Sequence, residues 1–160
     1  MIDEVLGSMI RYNGSDVRRI NHAIKVFSFA RHIGIVEGLD PTVQTVLEYA
    51  AILHDIGIHA AEEKHYSSSG VFQELEGPPI ARGLLDELGV PEAFIERACF
   101  LVGHHHSYSA IDGLDFQILV EADFLVNVFE DGIKKDDILV IRDRVFKTKA
   151  GTELLESMYL

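Results

Sequence analysis

Residues 51–57 read AILHDIG, which places a histidine beside an aspartate at the end of an apolar run. The run begins after Asp40, a predicted helix N-cap, and stops at Gly57, a residue typical of a helix end. His54 extends the inward-facing stripe of this predicted helix. Asp55 lies about a hundred degrees further round, near a helix C-terminus, where its charge opposes the helix dipole. We therefore expect a positive charge close to this pair.

The rest of the chain also predicts helices, because no segment alternates with the period of a strand. The least regular segment, 59–77, is predicted as a loop with one short helix. Further helices are predicted after a Ser15 N-cap, from the prolines of GPPIARGLLDELG (77–89), over VPEAFIERACFLVGHH (90–105), over the strongly apolar 112–132, and in the tail 135–160. The sequence thus predicts an all-α bundle in a single domain over 1–160, with a core of about 15–132 and a C-terminal helical extension at 133–160.

Composition limits the partners of the protein. The formal net charge is −12, from 26 acidic against 14 basic residues, which argues against a nucleic-acid backbone as partner, since Lys and Arg drive that binding. A single cysteine, Cys99, excludes an intramolecular disulfide. The acidic opening MIDEVLGSMI does not resemble a secretory signal, and no apolar run approaches the ~20 residues of a membrane span. We expect a soluble, cytoplasmic protein without membrane contact, either monomeric or homo-oligomeric.

Two more titratable residues are predicted to face inward. His22 shares a helix face with Val26 and Phe29, although a lone inward histidine is usually a hydrogen-bonded core residue. Asp123 stands in an almost wholly apolar helix, where an unpaired carboxylate costs several kcal/mol. Either these residues bind a divalent cation together, with His22, His54, Asp55 and Asp123 as its ligands, or Asp123 hydrogen-bonds a histidine in a polar core cluster. Four inward groups of ligand type on three helices favour the cation.

Further residues of ligand type lie outside these helices. His104 and His105 belong to VGHHHS at a predicted helix end, which is either a metal-binding tract or a solvated turn. Glu76 precedes the predicted helix start at the prolines, where it either complements the dipole or serves a second ion. No role is predicted for His59, His65 and His106.

The ordered set of His22, His54–Asp55 and Asp123, with the HDIG wording at 54–57, resembles the signature of the HD-domain superfamily of metal-dependent phosphohydrolases. The resemblance runs from about Arg19 to Gly132. It implies an α-helical HD bundle in which these four residues bind a divalent ion at the centre. The sequence as a whole most resembles those of small stand-alone HD hydrolases of bacteria.

The chain also resembles the dinuclear branch of this superfamily, which includes the HD-GYP phosphodiesterases. That resemblance implies a paired-histidine ligand set at His104 and His105. Glu76 stands in place of a further histidine, and Ile58 in place of the lysine that often follows HDIG. Because no GYP sequence is present, cyclic-dinucleotide cleavage is not expected.

The resemblance implies hydrolysis of a nucleotide or another small phosphorylated metabolite by metal-activated water. Imidazole and carboxylate ligands suit one or two ions of Mn, Fe, Zn, Co, Ni or Mg. Asp55 is the candidate orienter of the nucleophile, and His104 or His105 a ligand or general acid. Three basic residues are candidates for the substrate phosphate, although each is equally compatible with a solvated surface position: Arg19, Lys64 and Arg82.

The sequence is also compatible with two alternative functions. One is a metal-stabilised sensor or partner-binding HD module without turnover, and the other is a diiron oxygenase, since an HD relative of that kind exists. The intact set of His22, His54, Asp55 and Asp123 favours the hydrolase.

Overall fold

In the computed structural model, which describes all 160 residues, the chain folds into nine α-helices and no strand. This confirms the all-α prediction. The helices are α1 (Ile2–Asn13), α2 (Val17–Val36), α3 (Pro41–Leu53), α4 (Ile58–His65), α5 (Gly70–Glu87), α6 (Glu92–Val102), α7 (Leu114–Glu130), α8 (Lys135–Arg144) and α9 (Lys149–Tyr159), with one turn of 3-10 helix at Tyr108–Ala110.

The centre of the bundle is formed by α2, α3 and α7, which pack against one another, while α6 covers α3. The sequence of α7 is apolar on nearly every face, and 11 of its 17 residues are buried. A helix that is hydrophobic all round requires neighbours on all sides, so α7 lies in the core as its composition predicts. The polar residues of α7 are consequently the ones that need partners.

The N-termini of α2 and α3 test the predicted caps. Asp40 caps α3 by accepting a hydrogen bond from the Thr42 amide, as predicted. In α2 the predicted cap is wrong by one residue. The N-cap is Asp16, whose carboxylate accepts from the Arg19 amide and from His59 Nε2 at 2.7 Å. This second contact ties the start of α2 to α4.

The segment 59–77, predicted as mostly loop, is mostly helical. It contains nearly all of α4 and the first turns of α5, so the connection between the two helices is only Tyr66–Ser69. The predicted start of a helix at the prolines is also wrong, because α5 begins at Gly70 and continues through Pro78 and Pro79. Two consecutive prolines remove two backbone donors. Packing against α6, including a Cys99 Sγ contact to the Pro78 carbonyl, holds the helix together there.

The two ends of the chain add helices around this centre. The tail forms α8 and α9, as the amphipathic pattern predicts, and α9 packs on α7. The sequence pattern predicted no helix for the first residues. They form α1, which packs on α2 and α3. None of the helices has the length and apolarity needed to cross a membrane.

Candidate metal centre

Four side chains from three parts of the fold meet at one point in the core. His22 comes from α2, His54 and Asp55 from the turn after α3, and Asp123 from α7. His22 Nε2 lies 3.1 Å from His54 Nε2, 3.2 Å from Asp55 Oδ2 and 3.2 Å from Asp123 Oδ1. His54 Nε2 lies 3.4 Å and 3.5 Å from the same two oxygens. All the residues that the HD resemblance assigns to the first ion are therefore brought together.

The end of α3 explains how two consecutive residues reach the same point. The helix ends at Leu53, and His54 is its C-cap with helical backbone angles. Residues 54–57 then form a turn in which the Ile56 amide donates to the Leu53 carbonyl and the Ile58 amide to the Asp55 carbonyl, so the backbone winds more tightly than in an α-helix. Both side chains can therefore face the cluster.

The hydrogen bonds of the histidines fix which nitrogen faces the cluster. His54 Nδ1 is 2.7 Å from the Ala51 carbonyl and His105 Nδ1 is 2.8 Å from the Val102 carbonyl. Because a carbonyl only accepts, Nδ1 carries a proton in both rings, and Nε2 faces the cluster, where it presents a lone pair once it is deprotonated. His22 Nδ1 likewise donates to the Glu130 carboxylate at 2.6 Å.

His105 extends the cluster on the other side of Asp55. Its Nε2 lies 3.4 Å from Asp55 Oδ1, and it is fully buried without a hydrogen-bond partner. A second group of donor atoms is formed by Asp55, His105 and His106. Gln73 Oε1 lies 3.1 Å from His106 Nε2.

This donor set fits divalent cations. Nitrogen lone pairs and carboxylate oxygens converge without an arginine or lysine among them, and His105 Nε2 has no proton donor to satisfy it. Histidine and carboxylate together are ligands of Mn, Fe, Zn, Co, Ni and Mg. One donor group contains His22, His54 and Asp123, and the other contains Asp55, His105 and His106.

The protonation of the cluster responds to its two carboxylates. Burial opposes a charge on His22, but hydrogen bonds to Asp123 and Asp55 outweigh it and raise the pKa of His22 to about 9. Burial likewise opposes a charge on His54, and the charge of Asp55 with the Asp123 hydrogen bond raises its pKa well above the usual range. Protons on these rings therefore compete with a cation for the same nitrogens. His106 differs, because burial and the neighbouring His105 lower its pKa to about 4.

The metal-ligand candidates are held by further polar residues that the sequence pattern did not single out. Glu130 accepts from His22 Nδ1 and also from Lys25 Nζ. Asn127 donates to Asp123 Oδ1 at 3.0 Å. Partners of this kind orient a ligand and fix its tautomer. Their positions four and seven residues after Asp123, on one face of α7, are the signal that would have found them.

Two predicted ligands are not brought to the cluster. The His104 ring stacks on Phe100 at 4.1 Å between centroids, and its Nδ1 donates to the Phe100 carbonyl. Glu76 accepts hydrogen bonds from Lys64 and His65, both at 3.0 Å. His104, predicted as ligand and general acid, and Glu76, predicted as ligand, therefore lie outside both groups of donor atoms. His105 and His106 occupy the positions beside Asp55.

The predicted phosphate-binding residues divide in the same way. Arg19 lines a cleft of about 210 Å³ that opens onto the cluster, and Arg18 lines it too. Lys64 is paired with Glu76 instead, and Arg82 with Glu92 at 2.8 Å. Neither Lys64 nor Arg82 lines the cleft. The remaining lining residues are His22, Asp55, Ile58, Gln73, His106, Asp123, Asn127, Glu130 and Asp131.

The sequence profile of the HD domain matches residues 19–142. The chain belongs to the HD domain family. Proteins of this family bind divalent metals and are generally hydrolases, which agrees with the donor set at the centre of the fold.

Among solved structures, the chain is similar to the crystal structure of a predicted HD superfamily hydrolase from an uncultured Thermotogales bacterium. The two share 24% sequence identity with a TM-score of 0.67, over 97% of this chain and 83% of the other. At this identity the likeness shows the fold. No curated protein matches the sequence significantly.

Proposed function

We propose that this HD domain protein is a metal-dependent phosphohydrolase that hydrolyses a nucleotide or another small phosphorylated metabolite. The observation that carries the proposal is the position of Asp55. Its Oδ2 faces His22 and its Oδ1 faces His105, so one carboxylate contacts a histidine of each donor group. Sites for two metal ions are a recurrent arrangement for displacement at phosphorus.

The chain offers residues for both ions. His22, His54, Asp55 and Asp123 would hold the first, while Asp55, His105 and His106 would hold the second. When bound, divalent ions lower the pKa of a water toward ~7 and neutralise the charge of the attacked phosphate.

Other residues of the cleft would position the substrate. Asp55 would orient the attacking water, because its carboxylate lies between the two donor groups. Arg18 and Arg19 are the cations among the lining residues of an otherwise acidic cleft. A guanidinium binds phosphate oxygens through paired hydrogen bonds, so these arginines would hold the substrate phosphate beside the ions.

The experiment is a hydrolysis assay of the metal-loaded protein on a panel of nucleotides and sugar phosphates. We expect Asp55→Asn to lose activity by more than the roughly 10–100-fold that removal of an outer partner of a metal ligand costs. Arg82→Gln is the matched control, since Arg82 pairs with Glu92 outside the cleft, and it should retain activity. Tight metal binding without turnover on any phosphoester would instead identify a metal-stabilised module.

A further inference from the structure

A second cavity lies between α2, α7 and α9, and its lining is almost wholly apolar. Its volume is about 390 Å³, within the range of small-molecule sites. Phe129 at this cavity is 76% exposed. We call this cavity the apolar groove, and its lining residues are Lys25, Phe29, Leu125, Val126, Phe129, Met158 and Tyr159.

The apolar groove is next to the metal cleft and shares a wall with it. Glu130 lines the cleft and accepts hydrogen bonds from His22 and from Lys25, and Lys25 lines the groove. Along α7, Phe129 lines the groove and the next residue lines the cleft. The Lys25–Glu130 ion pair therefore joins a residue of the cleft to a residue of the groove.

The chemistry of the groove suits an aromatic ring. Three of its side chains are aromatic, and the Tyr159 hydroxyl is already satisfied by the Leu125 carbonyl at 2.6 Å. Stacked and edge-to-face ring pairs are favourable beyond the area that they bury. Lys25 is the one charged residue of the lining, and an ammonium adds attraction for the face of a ring.

We infer that the apolar groove binds an aromatic ring carried by the phosphorylated substrate, whose phosphate lies in the metal cleft. This inference rests on the proposed function and narrows its substrate class, because a nucleotide carries such a ring and an aliphatic sugar phosphate does not. The shared Lys25–Glu130 wall points to a substrate group as the occupant, since Glu130 lines the site of the phosphate and its partner Lys25 lines the groove.

Methionine methyl groups provide a direct readout of the groove. The chain has three methionines, of which Met158 lines the groove and Met9 is buried in the core. Protein labelled with ¹³C-methyl methionine and loaded with diamagnetic Zn²⁺ is titrated with adenosine 5′-monophosphate or with ribose 5-phosphate. The two ligands differ in the adenine ring. We expect the nucleotide alone to shift the Met158 resonance, with Met9 unmoved.

Substitutions separate the groove from the rest of the surface. Phe129 is exposed, so Phe129→Ala should fold, and it should weaken nucleotide binding about three- to tenfold, as loss of an aromatic pair does. Val71→Ala is the matched control, because Val71 is a similarly exposed apolar residue outside both cavities. This variant should bind the nucleotide as the wild type does.

Three results would overturn the inference. They are a Met158 resonance that stays unmoved at saturating nucleotide, equal affinity for the two ligands, and a Met158 shift on dilution of the protein alone, which would assign the groove to a second copy of the chain. Hydrolysis is measured separately with the wild type. A Met158 response without hydrolysis of any phosphoester supports the groove and contradicts the proposed function, and hydrolysis with Met158 unmoved does the reverse.

Discussion

Asp55 is the residue on which the geometry of the metal centre depends, because each of its carboxylate oxygens faces a different histidine. Its Oδ2 lies 3.2 Å from His22 Nε2 and its Oδ1 lies 3.4 Å from His105 Nε2. Burial opposes the charge of Asp55, but the positive charge on His54 and the nearby nitrogens of His105 and His22 lower its pKa well below the usual range. The carboxylate therefore stays ionised, as a metal ligand must.

The number of bound ions tests this reading of Asp55. We expect elemental analysis of the wild type to give two ions per chain, and His105→Ala to reduce the count to one, because His105 belongs to the second donor group alone. His104→Ala is the matched control, since His104 hydrogen-bonds Phe100 away from both groups. An unchanged count in His105→Ala would contradict the second site.

The residue scale also shows what the sequence pattern could and could not predict. His22 and Asp123 were predictable because a polar residue on an apolar helix face is unusual and costly. The choice among three consecutive histidines was not predictable, because each residue turns by about a hundred degrees along a helix. Which ring faces Asp55 depends on where α6 ends, and it ends at Val102.

At the scale of elements, Gly57 explains how the HDIG turn packs against α5. A Cβ on Gly57 would lie 2.6 Å from the Gly77 amide nitrogen and 2.7 Å from the Gln73 carbonyl oxygen. Real Cβ atoms do not approach a backbone this closely, so the turn and α5 are in contact through their main chains. This contact places α5, and with it Gln73, beside the metal centre.

Substitution of this glycine should therefore displace α5. We expect Gly57→Ala to lower the free energy of unfolding by about 1–3 kcal/mol, as overpacking does, measured by urea denaturation. Gly83→Ala is the matched control, since Gly83 lies in α5 with nothing within 4 Å of an added Cβ. It should raise stability by about 0.5–1 kcal/mol, because alanine loses less entropy in a helix. Equal effects of the two substitutions would contradict the backbone contact.

A buried carboxylate attaches the C-terminal helix to the core. Glu121 on α7 is fully buried. Its Oε2 accepts from the backbone amides of Lys147 and Thr148 and from the Gln117 amide group, and its Oε1 accepts from the Thr148 hydroxyl. These bonds satisfy the segment that leads into α9, where Thr148 is the N-cap.

We expect Glu121→Gln to destabilise the protein by about 2–4 kcal/mol, because the amide places a donor against donors and removes charge-assisted hydrogen bonds. The free energy of unfolding from denaturant titration measures the effect. Glu153→Gln, at an exposed position on α9, should change stability by less than about 0.5 kcal/mol. A loss as small as that of the Glu153 variant would show that the network does not hold α9.

At the scale of the whole molecule, the metal centre connects three parts of the bundle. His22 belongs to α2, Asp123 to α7, and His54 and Asp55 to the turn between α3 and α4. A ligand that binds the native state and not the unfolded chain stabilises by about 2.7 kcal/mol at a hundred times its dissociation constant. Metal binding should therefore stabilise the fold as a whole.

The pH dependence of stability should distinguish the metal-free protein from the loaded one. In the protein kept free of metal by a chelator, the pKa of His22 in the folded state is about 9, above its ordinary 6.5. The stability that its proton contributes is therefore fully present below pH 6.5 and is lost as pH rises toward 9, at up to about 1.4 kcal/mol per pH unit for one group. The raised pKa of His54 acts in the same direction.

In the metal-loaded protein the same rings must be deprotonated, so stability should rise up to pH 6.5 and then stay level. Urea denaturation at several pH values, with and without metal, measures both curves. A metal-free protein that gains stability between pH 6.5 and 9 would contradict the raised pKa of His22 and of His54.

The sequence by itself determined the all-α class and the central position of α7, because helical periodicity is a property of local sequence. It also determined which four residues meet in the core of the bundle, because a charge on an apolar helix face is costly and can be recognised locally. The tertiary structure alone decided that His105 and His106 lie beside Asp55, that Arg82 and Lys64 pair elsewhere, and that an apolar groove adjoins the cleft. These features depend on where α5 and α6 begin and end and on how α9 packs on α7. Such contacts join residues far apart in the chain, and no local pattern encodes them.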